Sequence, residues 1–174
     1  MNKTAKITFC GITAALGTVF MLLAYFPYFT YAVPAITGLL SLMILIEINS
    51  KWATATYLVT AFLALIFAET ESKFLYLIFF GYYPIVKAHI EKIKSRAVQY
   101  LIKFALYNFV IILFYGLVAK FIGVALEDIG SFGKLSFLIF ILLANVVFYL
   151  YDIVLVRAAA FYIRKIRPKL KINR

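Results

Sequence analysis

Charged residues alternate between the long hydrophobic runs of this chain, and that alternation constrains its fold more than any other feature. The 174 residues are 66% hydrophobic and only 14% charged, with a mean hydropathy of +1.00. A helix needs about 20 apolar residues to cross the hydrocarbon core of a bilayer. A water-soluble protein of this composition would expose apolar patches far larger than soluble proteins tolerate. The composition therefore predicts an all-α, polytopic membrane protein.

Six apolar runs are predicted to cross the membrane as a bundle of six transmembrane helices. The run Ile7–Thr30 predicts a retained first helix, because the apolar region of a signal peptide, the alternative, has only about 7–15 residues. Spans two to four are short, which bilayer thinning or packing accommodates. Together the spans form one predicted transmembrane domain, residues 1–174. They are expected at Ile7–Phe26, Val33–Ile48, Trp52–Ala68, Phe74–Ala88, Leu101–Val124 and Leu135–Tyr162.

Basic residues concentrate in every second gap between these spans. With six crossings, most of the 18 Lys and Arg residues fall on one side of the membrane. The positive-inside rule then places both termini in the cytoplasm, with residues 163–174 as a basic cytoplasmic tail. The net charge of +11 is thereby explained by topology and anionic lipid, and no nucleic-acid partner is expected. The expected location is the bacterial cytoplasmic membrane.

The segment Ile85–Arg96 is predicted to extend span four as a basic amphipathic helix. Lys87 and Glu91 are four residues apart and Glu91 and Lys94 are three apart, so either pair can form on one helix face. Such a helix either lies on anionic lipid or docks against a partner.

The chain offers little for catalysis or metal binding. Cys10 is the only cysteine and His89 the only histidine, so an internal disulfide and a multi-histidine metal site are excluded. No nucleophile–base set is evident, and the phosphate-binding pattern GxxxxGK[ST] does not occur. We expect a protein that is not an enzyme, has no cofactor, and relies on partners for any ATP chemistry.

Four polar residues in the last two predicted spans are expected to face one another. Lys103 and Asp152 lie at similar depth in antiparallel neighbours and could form an interhelical ion pair, since buried charges in a bilayer are costly. Asn108 and Asn145 lie nearer the middle, where amide hydrogen bonds hold helices together. Asn145 could instead face a pocket that opens to the outside.

The external side differs from the basic side, because aromatic and a few polar residues predominate there. Aromatic walls with a few polar groups are typical of a small-molecule pocket. The alternative is an aromatic belt at the lipid interface, which must account for most of the 13 tyrosines and 18 phenylalanines. The predicted substrate-binding residues are Tyr31, Glu71, Tyr76, Tyr115, Lys120 and Asn145.

Small residues recur at a spacing of four on the first helix, at Gly11 and Ala15. Such a pair lets another helix approach closely, and that helix could belong to this chain or to a separate membrane protein.

The chain resembles the S components of energy-coupling factor (ECF) vitamin transporters. The resemblance is carried by the basic start leading into Gly11-Ile-Thr-Ala14-Ala15, by the Pro27–Pro34 turn, and by the lack of an energy-converting motif. It implies that Gly11 and Ala15 touch a transmembrane coupling subunit that works with two ATPases. It also implies an outward-facing site for a vitamin or a similar small molecule. The cell-shape protein MreD, a membrane scaffold, has a similar size and layout and gives the alternative function.

Overall fold

The computed structural model describes the backbone of residues 2–26, 28–122 and 133–170, and within these stretches the side chains of residues 2–26, 28–113, 139 and 141–169. The chain is 88% helical and the described residues contain no strand, which confirms the all-α fold. Pro27, Val124 and the tail end 171–174 lie outside the described residues. The α-helices are α1 (Lys3–Leu22), α2 (Ala32–Glu47), α3 (Ser50–Phe67), α4 (Thr70–Leu75), α5 (Tyr83–Ile90), α6 (Arg96–Ile122) and α7 (Gly133–Phe161).

Four helical stretches of the described chain are long and apolar enough to cross a membrane. They comprise Lys3–Tyr25, Ser50–Phe67, Arg96–Leu113 and Ile141–Lys169. Helix α2 is equally apolar but has only 16 residues. The predicted fourth span is not one helix, because α4 and α5 are separated by a π-helical turn at Tyr76–Phe80 and by a further turn.

The chain divides into two compact units. The first unit comprises Met1–His89 and Val154–Arg174, and the second comprises Ile90–Ile153. Helices α1 to α5 thus belong to the first unit and α6 to the second, while α7 contributes residues to both.

Two hydrophobic clusters mark the two ends of the first unit. One joins Cys10, Ile44, Ala53 and Ile85, and it therefore contains the N-terminal half of α1, the end of α2, the start of α3 and α5. The other is rich in alanine and consists of Met21, Ala24, Val33, Ala61, Ala64, Ala68 and Tyr76. Each of α1, α2, α3 and the α4–α5 segment thus runs from one cluster to the other.

The end of the first unit that carries the Cys10 cluster is also its basic end. The side chain of Glu47, at the end of α2, is 4% exposed and forms an ion pair with Arg167, whose Nε lies 3.0 Å from Glu47 Oε1. This contact brings the segment after α7 to the turn between α2 and α3. The N-terminus of α1 lies at the same end, so Lys3, Lys51 and the described basic residues after α7 gather there.

Packing against α3, together with Gly81 and Pro84, accounts for the interruption of the α4–α5 segment. An added Cβ at Gly81 would lie 2.5 Å from the ring of Tyr57, so this glycine allows α3 to pack directly against the break. The Tyr57 hydroxyl donates a hydrogen bond to the Leu77 carbonyl at 2.7 Å, which satisfies a carbonyl within the π-helical turn. Pro84 lies in the first turn of α5, where a missing backbone N–H costs nothing.

The second unit contains an antiparallel hairpin of α6 and α7 with alternating polar and aromatic contacts. Lys103 Nζ lies 3.0 Å from Asp152 Oδ2. The next layer stacks the Tyr107 ring on the Phe148 ring with centroids 4.3 Å apart. Asn108 and Asn145 then exchange two side-chain hydrogen bonds of 3.0 Å each. The expected Lys103–Asp152 pair is therefore present.

The predicted helix over Ile85–Arg96 is wrong beyond its first half. Helix α5 ends at Ile90, a turn follows, and α6 begins at Arg96. Glu91 lies in that turn, and its Oε1 accepts a hydrogen bond from Lys103 Nζ at 2.9 Å.

Candidate functional site

The candidate site lies at the end of the first unit opposite the basic end, where two predicted substrate-binding residues meet. Tyr31, just before α2, donates a hydrogen bond from its hydroxyl to Glu71 Oε2 at 3.2 Å. Partial burial and the Glu71 carboxylate raise the pKa of the Tyr31 phenol above its usual value. At neutral pH the phenol therefore keeps its proton and remains a donor to the carboxylate.

The first turn of α4 positions Glu71. Glu69 precedes the helix, and its two carboxylate oxygens accept hydrogen bonds from the backbone N–H groups of Glu71 and Ser72, at 2.9 and 2.8 Å. An acidic residue in this position accepts hydrogen bonds from the free N–H groups of the first turn, and its negative charge interacts favourably with the helix dipole. Glu69 is thus committed to capping, whereas the Glu71 carboxylate contacts the Tyr31 hydroxyl.

The segment between α1 and α2 presents aromatic side chains around this contact. Tyr25 is 63% exposed, and its hydroxyl donates a hydrogen bond to the Phe67 carbonyl at 3.1 Å, which ties the segment to the end of α3. Tyr28 is 93% exposed, and Phe26 and Phe29 are also exposed. Such residues suit either a membrane interface or the rim of a site.

Tyr76 lies deeper than the sequence suggested. It is 1% exposed, and its hydroxyl forms hydrogen bonds with Ser41 on α2 and Thr60 on α3. It therefore belongs to the interior of the first unit below the Tyr31–Glu71 contact, and it does not line the external surface.

Buried hydroxyl groups surround Tyr76, and the sequence analysis did not identify them. They form three pairs, one on each of three consecutive segments. The two members of a pair are four residues apart, so they lie on the same face of their helix. Gly17 on α1 makes room for them, since an added Cβ would lie 3.0 Å from a Thr60 methyl and 3.3 Å from a Thr37 methyl. The pairs are Thr37 and Ser41 on α2, Thr56 and Thr60 on α3, and Ser72 and Tyr76 on the α4–α5 segment, all buried.

The remaining predicted substrate-binding residues are not brought to this site. Asn145 belongs to the second unit, where its amide is occupied by Asn108 and by the Ile141 carbonyl, which accepts from Asn145 Nδ2 at 2.8 Å. Its contacts are those of an amide that joins two helices. Tyr115 and Lys120 lie in α6, but their side chains are outside the described part of the chain.

The two predicted docking residues share the exposed side of α1. Gly11 and Ala15 are both exposed, and a Cβ added at Gly11 would meet nothing within 4 Å. The side of α1 that packs within the chain is formed instead by Cys10, Thr13, Ala14, Gly17 and Met21. The small-residue pair therefore does not serve internal packing.

The groups at this end can form hydrogen bonds and aromatic contacts. Within the described ranges, no three His, Cys, Asp or Glu side chains converge as they would around a metal ion. Hydroxyl groups and two carboxylates, of which one caps α4, provide hydrogen bonding. Exposed aromatic rings provide ring contacts. Comparison of the sequence with protein-family models, with curated proteins and with solved structures finds no match to any of them.

Proposed function

We propose that this chain is the substrate-binding S component of an ECF-type importer for a vitamin or a similar small molecule. In this proposal it captures the solute at the Tyr31–Glu71 end, and a separate coupling subunit with two ATPases supplies the energy. The observation that carries the proposal is the exposed pair Gly11 and Ala15 on an otherwise bulky apolar face of α1.

The arrangement of the first unit supports a bundle with cytoplasmic termini. Its four segments run between a basic end and an end that carries Tyr31 and Glu71. The α4–α5 segment extends from the Glu69 cap to the cluster around Ile85, so it covers the same distance as α2 and α3. With α6 and α7 the proposed bundle has six crossings, and under this proposal the positive-inside rule puts the basic end in the cytoplasm.

Close approach between helices explains why small residues at positions 11 and 15 would suit a membrane partner. Helices in lipid associate mainly through packing, and glycine or alanine lets two backbones come near. Large apolar residues that face lipid, such as Ile12 (63% exposed) and Val19 (57% exposed), border the pair. A small strip bordered by larger side chains is a shallow groove that a partner helix can fill.

The test is co-purification of the tagged chain with its coupling subunit and both ATPases. Gly11→Leu and Ala15→Leu should each lower the recovered complex by at least about tenfold, which corresponds to about 1.4 kcal/mol of binding free energy. Ala55→Leu is the matched control, because Ala55 is an exposed alanine on α3. It should leave assembly unchanged.

Recovery of the complex from both α1 variants at the level of the control would overturn the docking role. If the wild-type chain brings down no ATPase at all, the importer proposal fails, and the scaffold alternative becomes the better explanation. Thermal unfolding of each variant alone should match the wild type, since neither position packs within the chain.

A further inference from the structure

In the polar interior around Tyr76, two hydroxyl groups have no hydrogen-bond partner among the described residues. Thr37 Oγ1 and Ser72 Oγ are fully enclosed, in side chains that are 1% and 0% exposed. Their neighbours differ: Thr56 donates to the Trp52 carbonyl and Thr60 to the Thr56 carbonyl, both at 2.9 Å. Leaving a buried hydroxyl unpaired costs about 1–3 kcal/mol, so two within one interior require an explanation.

The two groups occupy the same layer of the unit. Helix α2 runs from Val33 near the Tyr31–Glu71 end toward the basic end, so Thr37 lies one turn closer to the former than Ser41 does. The α4–α5 segment runs the same way from its Glu69 cap, so Ser72 lies one turn closer than Tyr76. Because Tyr76 is hydrogen-bonded to Ser41, Thr37 and Ser72 both lie one turn above that contact.

Small side chains border this layer on the adjacent helix. One turn beyond Thr60 on α3 is Ala64, which is 1% exposed and belongs to the alanine-rich cluster. Two hydroxyls can together donate two hydrogen bonds and accept several, and an uncharged group that both donates and accepts complements them best.

We propose that Thr37 and Ser72 together hold an uncharged hydrogen-bonding group, supplied either by a resident water molecule or by the hydroxyl or amide of a captured solute. If the group is a water molecule, the inference does not depend on the importer proposal. If it belongs to a solute, the inference rests on that proposal. An anion is disfavoured, because the Glu69 carboxylate, which accepts a hydrogen bond from the Ser72 backbone N–H at 2.8 Å, would repel it.

The test uses the full-length protein as purified from its own membranes, with whatever it carries. Thr37→Val and Ser72→Ala remove one hydroxyl each with little change in shape, and Thr56→Val is the matched control whose hydroxyl already has a partner. If the group is present, each of the first two should lower Tm by about 2–4 °C, the effect of one lost buried hydrogen bond in a chain of this size. The control should lower Tm less, because the Trp52 carbonyl that accepts from the Thr56 hydroxyl keeps its backbone hydrogen bond within α3.

Native mass spectrometry of the same samples separates the two sources. A small-molecule adduct that is present on the wild type and lost in Thr37→Val identifies a solute. A lowered Tm without any adduct identifies water. An unchanged or raised Tm in either Thr37→Val or Ser72→Ala overturns the proposal, because removing an unpaired hydroxyl from an empty interior is neutral or stabilising. An equal fall in Thr56→Val overturns it as well.

These outcomes are separate from those of the importer proposal. Assembly with the coupling subunit depends on the exposed face of α1, and Thr37 and Ser72 lie inside the unit. A chain that binds no ATPase can still show a lowered Tm in Thr37→Val and Ser72→Ala. A chain that assembles normally can still show an unchanged Tm in these variants.

Discussion

Buried polar groups are treated differently in the two units of this chain. In the second unit, Lys103 contacts Asp152 and Glu91, and Asn108 and Asn145 satisfy each other. In the first unit, Thr37 and Ser72 lack partners although they are more deeply buried. Paired polar groups are what a helix hairpin needs in lipid, whereas the unpaired ones are the basis of the proposal that Thr37 and Ser72 hold a further group.

This difference assigns separate roles to the two regions. The polar contacts of the second unit hold α6 against α7 and are complete within the chain. The polar interior of the first unit lies beneath a contact, Tyr31 with Glu71, at the end where a solute would arrive in the proposed orientation. Under the proposed function, the polar groups of the second unit are therefore structural, and the unpaired hydroxyls of the first unit are candidates for ligand binding.

Breaking the Lys103 ion pair should have the largest effect on stability. Lys103→Met removes the cation that lies 3.0 Å from the buried Asp152 carboxylate, and loss of one partner of a buried pair costs about 3–5 kcal/mol. Asp152→Leu should cost less, since Glu91 still contacts Lys103. The measurement is the free energy of unfolding in detergent, followed by circular dichroism.

The double variant Lys103→Met with Asp152→Leu sharpens the comparison. Replacing both charges by apolar side chains is often neutral, so most of the lost stability should return. A double variant as unstable as the sum of the two single ones would show that these charges do more than pair with each other.

The next largest effect is expected at the break between α4 and α5. Gly81→Ala places a Cβ 2.5 Å from the Tyr57 ring, and overpacking of this kind costs about 1–3 kcal/mol. Gly11→Ala is the control, because a Cβ there meets nothing within 4 Å. Thermal unfolding of both variants checks this expectation, and equal Tm values for the two would contradict the tight packing around Gly81.

The hairpin was the part of the fold most accessible to sequence reasoning. Charges at equal depth in antiparallel helices have few alternatives to pairing, so Lys103 with Asp152 followed from the length of the spans alone. The break in span four did not follow, although Gly81 and Pro84 mark it. Whether a helix bends at such residues depends on what packs against them, and Tyr57 comes from another helix.

The candidate site was predictable only in part. Tyr31 and Glu71 were expected on one side, and the structure brings them together. Tyr76 was predicted too close to the surface, because the sequence around a tyrosine near a helix start does not distinguish a surface position from an interior one. The hydroxyl pairs were missed, since Ser and Thr commonly bond to their own helix. Their recurrence at a spacing of four in three consecutive segments was the available signal.

The central claim, that the first unit spans the membrane with its basic end in the cytoplasm, is tested most directly by cysteine labelling in intact cells. In a Cys10→Ala background, a membrane-impermeant maleimide should label Tyr28→Cys and Thr70→Cys from outside. It should label Lys51→Cys and Lys92→Cys only after the cells are permeabilised. Labelling of Lys92→Cys in intact cells would show that the α4–α5 segment does not cross, and would contradict the account.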